Sequence, residues 1–192
     1  MSFYKVSFFS LSMCNKRKKY NFVEYIICYF FVGSNFICTM GQVEYEIAMG
    51  CALDIDSITQ FQVDMALESE GTMLDHDKVL RGVTAAMNDS AKGSYIVARK
   101  GSEVVASLMI TREWSDWNAE WYWWVQSVYV KPAHRGRGLF RTMYAKVKEL
   151  AAQSGVSQVR LYVERTNLSA RQVYERVGMQ ECHYLMYEDV AK

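Results

Sequence analysis

The chain has 192 residues, 51% hydrophobic and 22% charged, with a formal net charge of +1. That length suits one ordinary domain with a core of its own, and the composition is that of a globular protein. The near-neutral balance argues against general nucleic-acid binding, which needs a basic face.

The first forty residues read differently from the rest. They hold Lys5, Lys16, Arg17, Lys18 and Lys19 against Glu24 alone, a local charge of +4, and they lack Ala, Asp, Gln, Trp, His and Pro. They are rich in residues with A/T-rich codons. Residues 1–39 are therefore read as a non-domain extension produced by a start assigned too far upstream, with the domain running from residue 40 to 192. A targeting segment is the rival reading, because Lys16 to Lys19 precede an apolar run. That run is interrupted at Gly33, Ser34 and Asn35 and is short for a membrane span. No membrane partner is expected.

Beyond residue 40 the elements follow closely. Glu44 to Met49 is a short strand. Asp54 to Glu68 patterns as a helix, with Asp54 as its cap, and Asp75 to Asn88 as a second. Ser94 to Arg99 and Glu103 to Arg112 form a hairpin across Lys100-Gly101-Ser102. Trp121 to Val130 is a long strand, ended by the only proline, Pro132. Leu139 to Ala152 is a third helix, Val159 to Val163 a strand, Ser169 to Arg176 a fourth helix closed by Gly178, and Cys182 to Glu188 a final strand. The fold class is α/β, with a mixed central sheet of about six strands flanked by four helices.

Five cysteines at 14, 28, 38, 51 and 182 show no C-x-x-C spacing. They suit a reducing, cytoplasmic setting, with Cys51 and Cys182 expected to pack as small hydrophobes. No trio of His, Cys or acidic ligands suggests a metal, and none is expected.

The most informative stretch is Arg135-Gly136-Arg137-Gly138-Leu139-Phe140. A strand, a basic glycine-rich turn and a helix start make an anion site. The first N–H groups of a helix have no internal acceptor, and the helix dipole is positive there. Arg135, Arg137 and Arg141 add donors that match phosphate oxygens. His134, just ahead of the turn, is a further candidate for phosphate contact. The P-loop string is absent. The third glycine of the dinucleotide fingerprint is absent too.

What remains, R-x-x-G-x-[GA] read as Arg135, Gly138 and Phe140, resembles the acetyl-CoA loop of the GNAT N-acetyltransferase superfamily. It departs at Phe140, where that family usually has Gly or Ala. Asn167 to Met179 is similar to the family's N-x-x-A-x-x-x-Y-x-x-x-G-[FM] segment. The element order matches as well, over residues 44–188.

The resemblance implies acetyl-CoA as cosubstrate. It implies a bulge in Ser127-Val128-Tyr129-Val130, with the pantetheine arm pairing to the backbone of Val128 and Val130. The pyrophosphate would sit on the amides of Arg135 to Phe140, and a backbone N–H near Val128 would polarise the thioester carbonyl. Tyr174 matches the family tyrosine that protonates the leaving thiolate. Asn167 would contact the pantetheine amide or cap its helix. A general base must deprotonate the acceptor amine. Glu120 at the mouth of the long strand is the first candidate, Glu113 the second, with Asp116 nearby.

All five tryptophans lie between Trp114 and Trp124. Trp123 and Trp124 are expected to fill the core. Trp114, Asp116 and Trp117 are expected to line an acceptor cleft, where aromatic faces and carboxylates attract an organic cation. Together these readings predict an N-acetyltransferase acting on the primary amine of a small cationic molecule, possible as a homodimer. The alternatives are a non-catalytic acyl-CoA sensor and a protein lysine or N-terminal acetyltransferase.

Overall fold

A computed structural model describes residues 36–40 and 43–190, with side chains from Tyr45. The expected extension, residues 1–39, lies outside the described residues except for its last four. The elements are β1 (Phe36–Met40), β2 (Val43–Met49), α1 (Ile55–Glu70), α2 (His76–Asn88), β3 (Ser94–Lys100), β4 (Glu103–Ser115), β5 (Glu120–Val130), α3 (Leu139–Gln153), β6 (Gln158–Leu161) and α4 (Leu168–Arg176). The six strands form one sheet in chain order. Every neighbouring pair is antiparallel except β5 and β6, which run parallel.

Alternation along the strands divides the core between two faces. Ile47, Ile96, Leu108, Ile110, Trp123 and Val125 bury against Leu139, Phe140, Met143 and Val147 of α3. Tyr95, Val97, Val104 and Tyr129 bury on the other face, against Ile58 and Phe61 of α1 and Val83 and Ala86 of α2. A fully buried aliphatic such as Leu108 contributes roughly 1.5–3 kcal/mol of transfer free energy.

Trp123, Val125 and Tyr129 are all odd-numbered, yet Tyr129 faces the opposite side of the sheet from the other two. The register explains the switch. Ser107 pairs with Tyr129 and Met109 with Gln126, so β5 spends one residue more than β4 over that interval. An extra residue inverts the alternation of everything after it. Ser127 carries the strain, with φ 51°. The implied bulge is therefore in place.

Two helix ends differ from expectation. Asp54 precedes α1 but makes no side-chain cap. It is buried, accepting the Cys51 N–H at 2.8 Å and two hydrogen bonds from Arg99 at 2.6 and 2.8 Å. A cation on a neighbouring strand outcompetes the helix amides for it. α1 also runs to Glu70 rather than Glu68. It stops at Gly71 (φ 64°), where the Thr72 N–H reaches the Ala66 carbonyl at 3.2 Å and the Gly71 N–H reaches Leu67 at 3.2 Å.

The C-terminal end differs more. Cys182–Glu188 is not a strand, and Tyr184, Leu185, Met186 and Tyr187 are exposed. Four consecutive large residues give no buried face by alternation, and a strand exists only where its backbone groups are paired. His183, expected within that strand, is therefore outside the sheet. β6 stops at Leu161, short of Val163. The sixth strand is instead β1, which was not expected. Cys51 and Cys182 are exposed rather than packed. Among the described residues no helix is long and apolar enough to cross a membrane.

Candidate active site

The turn between β5 and α3 is built to leave amides open. Gly136 (φ 71°) and Gly138 (φ 73°) are both left-handed, a conformation that a side chain disfavours. A Cβ at Gly136 would meet nothing within 4 Å, so its requirement there is backbone conformation rather than space. The first turn of α3 is closed by the Thr142 N–H on the Gly138 carbonyl at 3.2 Å. The amides of Leu139, Phe140 and Arg141 precede that bond and have no helical acceptor.

Arg135 does not lend its charge to this cradle. Its amide bonds the Pro132 carbonyl at 3.2 Å. Its Nε donates to the Val130 carbonyl at 2.7 Å, its NH2 pairs with Glu68 of α1 at 2.6 Å, and the guanidinium lies 5.4 Å from the Tyr129 ring centroid. It ties the start of the turn to β5 and α1, and leaves the basic role to exposed Arg137 and Arg141. His134 is likewise spent beneath the turn. It is buried, hydrogen-bonded through Nδ1 to the Tyr45 hydroxyl at 2.9 Å, and burial holds its pKa below the ordinary histidine value.

Beside this cradle the sheet opens. β5 and β6 pair from Tyr122 with Gln158 to Val125 with Leu161 and then part company. The last pair, at Val125, falls two residues before the strained Ser127, so the bulge begins where β6 ends. Val128, Tyr129 and Val130 line the β5 side of the gap. The gap thus offers strand backbone on one side and the open amides of the Gly138 turn near its end.

Tyr174 of α4 packs beside the start of α3. Its ring packs edge-on to Phe140 at 5.2 Å, and burial raises its pKa above the usual tyrosine value. It is a protonated donor at neutral pH. Phe140 is only 8% exposed, stacked at 5.8 Å on Tyr144. Its side chain points into the core and its amide into the turn, so a phenylalanine in place of Gly or Ala leaves the cradle intact. Asn167 caps α4, its Oδ1 accepting from the Ala170 N–H at 3.0 Å.

Known proteins share this fold. The sequence profile of the Acetyltransferase (GNAT) family matches residues 59–179. The crystal structure of a possible acetyltransferase from Clostridium difficile 630 superposes with a TM-score of 0.72 at 38% identity, covering 77% of this chain and 98% of that one.

The chain belongs to the GNAT acetyltransferase family.

A predicted acetyltransferase with acetyl-CoA from Clostridium acetobutylicum shares the fold alone, with a TM-score of 0.64 at 14% identity over 76% of this chain and 96% of that one. Among curated relatives, the thialysine N-epsilon-acetyltransferase of Bos taurus is 38% identical over 58 residues, 30% of this chain and 34% of its own length. That of Mus musculus is 33% identical over 82 residues, 43% of this chain and 48% of its own. The matches thus span between a third and a half of those relatives.

Along the β4–β5 hairpin of this GNAT domain, the carboxylates are not equivalent. Glu120 pairs with Ser115 at the hairpin tip, seven residues from Ser127, or roughly 23 Å along the strand. Glu113 stands nearer. Its two oxygens accept from the Trp124 indole Nε1 and, at 3.4 Å, from Arg160 NH1 of β6. The register partner of Glu113, Tyr122, is five residues from Ser127, or roughly 17 Å, and Trp124 is three, or roughly 10 Å.

Around Glu113 the sheet face is a polar aromatic floor. Gln126 donates to the Thr111 hydroxyl and accepts from the Tyr162 hydroxyl at 3.3 Å, and Arg160 lies 4.1 Å from the Tyr122 ring centroid. Trp124 is accordingly half-buried on this floor rather than in the core, while Trp123 is buried as expected.

The predicted aromatic cleft is not assembled. Trp114 follows Glu113 on the strand and so points to the opposite face, where it packs edge-on to Trp121 at 5.2 Å. Trp117 is 89% exposed at the hairpin tip, and Asp116 is exposed beside it. Arg160, Gln126 and Tyr162 were missed. The available signal was a polar residue breaking an apolar strand at matching parity, Gln126 in β5 and Arg160 in β6. Among the described residues no group of three His, Cys, Asp or Glu could hold a metal ion.

Proposed function

We propose that the protein moves the acetyl group of acetyl-CoA directly to the primary amine of a small cationic molecule. The observation that carries this reading is the coincidence of the bulge at Ser127, the parting of β5 and β6, and the open amides of the Gly138 turn. These residues fit acetyl-CoA: Gly136 to Phe140 would hold its pyrophosphate, and the backbone of Val128 and Val130 its pantetheine arm. When bound, acetyl-CoA supplies an activated acetyl thioester. A backbone N–H near Val128 is the donor we assign to the carbonyl oxygen.

Glu113 is the base we favour, because it bonds Trp124 and Arg160 on the floor beside the gap, whereas Glu120 lies farther along β5 at the hairpin tip. It attracts the acceptor ammonium and takes its proton through a water. Tyr174 returns a proton to the departing thiolate. Its raised pKa supports that role, since a donor must hold its proton until the leaving group forms. The floor of Tyr122, Trp124, Gln126 and Tyr162 replaces Trp114, Asp116 and Trp117 as the acceptor surface. The names of the thialysine N-epsilon-acetyltransferases point to an ε-amine as acceptor in those relatives, and we extend amine acetylation to this chain. Exposed, unpaired Cys51 and Cys182 favour the reducing cytoplasm as its place of action.

The test is acetyl-CoA-dependent thiol release across a panel of small amines and a lysine peptide, with a no-acceptor blank. Release that depends on a small amine, and falls in Glu113→Gln, is expected. Binding of acetyl-CoA with release no faster than the blank would replace the reading by an acyl-CoA sensor. Peptide-only release would replace it by protein modification.

A further inference from the structure

Among the described residues, Arg160 is the cation on the acceptor floor, and its bonding is uneven. NH1 holds Glu113 at 3.4 Å. The side-on edge, Nε and NH2, is given to a single neutral oxygen, Gln158 Oε1, at 3.3 and 2.9 Å. That edge is a two-donor fork whose natural complement is a carboxylate, which offers two oxygens and a charge where the amide offers one oxygen and none. Gln158 is exposed and two residues away on the same strand, so giving up this contact unbuilds nothing in the core. The guanidinium is already oriented, lying 4.1 Å from the Tyr122 ring centroid and 5.9 Å from that of Trp124. It is also only a third exposed, so an ion pair formed there is partly sheltered from solvent screening.

From this geometry we propose that the acceptor carries a carboxylate as well as its amine. The carboxylate docks on the Nε/NH2 edge of Arg160, displacing Gln158. The amine lies toward Glu113 and the gap between β5 and β6. The NH1 contact to Glu113 survives, so one guanidinium holds the base and reads the acceptor's anion. Arg160 is thereby the specificity-determining residue that separates amino acids from simple diamines. A purely cationic amine has no anion to offer that edge, and meets Arg160 as a like charge instead. This inference rests on the transferase reading above.

The experiment compares lysine with 1,5-diaminopentane, which differs only by the carboxylate, in the wild type, Arg160→Gln and Arg160→Lys. Two readouts are taken: kcat/KM by thiol release, and ligand binding followed through tryptophan fluorescence. The wild type is expected to favour lysine by tenfold or more in kcat/KM and to bind it more tightly than the diamine. Arg160→Gln is expected to lose that preference by at least tenfold, with the diamine gaining, and Arg160→Lys to restore part of it. A preference that survives in Arg160→Gln, or a wild type that binds or acetylates the diamine better, overturns the assignment. So does failure to bind lysine at millimolar concentration. A parallel acetyl-CoA titration reads the transferase proposal separately: acetyl-CoA bound without lysine discrimination sinks the Arg160 assignment alone, and no acetyl-CoA binding sinks the reading beneath it.

Discussion

Replacing Phe140 by alanine separates two duties that fall on one residue. The side chain is 8% exposed, stacked on Tyr144 at 5.8 Å and edge-on to Tyr174 at 5.2 Å, while the amide opens into the phosphate turn. Truncating a buried phenylalanine costs about 3–5 kcal/mol. For a protein of this size each kcal/mol moves Tm by about 2–4 °C, so Phe140→Ala should melt roughly 6–20 °C lower. The amide itself is unchanged, and alanine is what this family often carries there. The Kd for acetyl-CoA, measured by titration calorimetry well below the melting transition, should therefore change less than about threefold, whereas kcat should fall because Tyr174 loses its ring partner. A Kd weakened more than about tenfold in a folded variant would show that the ring, not the amide, serves the ligand. An unchanged Tm would show that the ring is not buried as described.

Other substitutions test the remaining parts of the site. Gly138→Ala forces a side chain into φ 73°, at about 1–2 kcal/mol. Acetyl-CoA affinity should fall at least severalfold, while thermal denaturation shifts by only a few degrees. Glu113→Gln should lower kcat about a hundredfold, in line with loss of a positioned base, and Glu120→Gln should leave steady-state kinetics within about twofold. Equal losses in both would return Glu120 to candidacy. Tyr129 is pushed up to about 12, first by burial and then by the Glu68 carboxylate. An unfolded tyrosine titrates near ~10, so this contribution to stability is whole below pH ~10 and is lost as pH rises through about 12. Urea midpoints should fall over that window, and Glu68→Gln should soften the fall. A midpoint that stays flat between pH ~10 and 12 would contradict the environment assigned to Tyr129.

The sequence was most legible where backbone chemistry dictates residue type. Gly136 and Gly138 announce left-handed turns, and Asn167 announces a cap; the alternation of Trp123 and Val125 shows which residues meet α3. It was less legible where one residue choice serves distant partners. Arg135 reads as a phosphate donor, yet Glu68, 67 residues away, holds it. Asp54 reads as a cap, yet Arg99, 45 residues on, takes it. The floor we propose for the acceptor was obscured by parity. Glu113 and Trp114 are adjacent in sequence and opposite on the sheet, so the tryptophan cluster drew the expected cleft toward the hairpin tip. The Cys182–Glu188 strand failed for a related reason, since its residues say nothing about which edge would pair with it.

The central claim is acetyl transfer through the gap at Ser127 with Tyr174 as proton donor. It is tested most directly by mass-spectrometric detection of the acetylated amine, alongside thiol release, in wild type and Tyr174→Phe. The account predicts matched yields of acetylated amine and free thiol in the wild type, with kcat at least tenfold lower in the variant and acetyl-CoA affinity little changed. Product formed at the same rate without the hydroxyl, or thiol released with no acetylated amine, would contradict it.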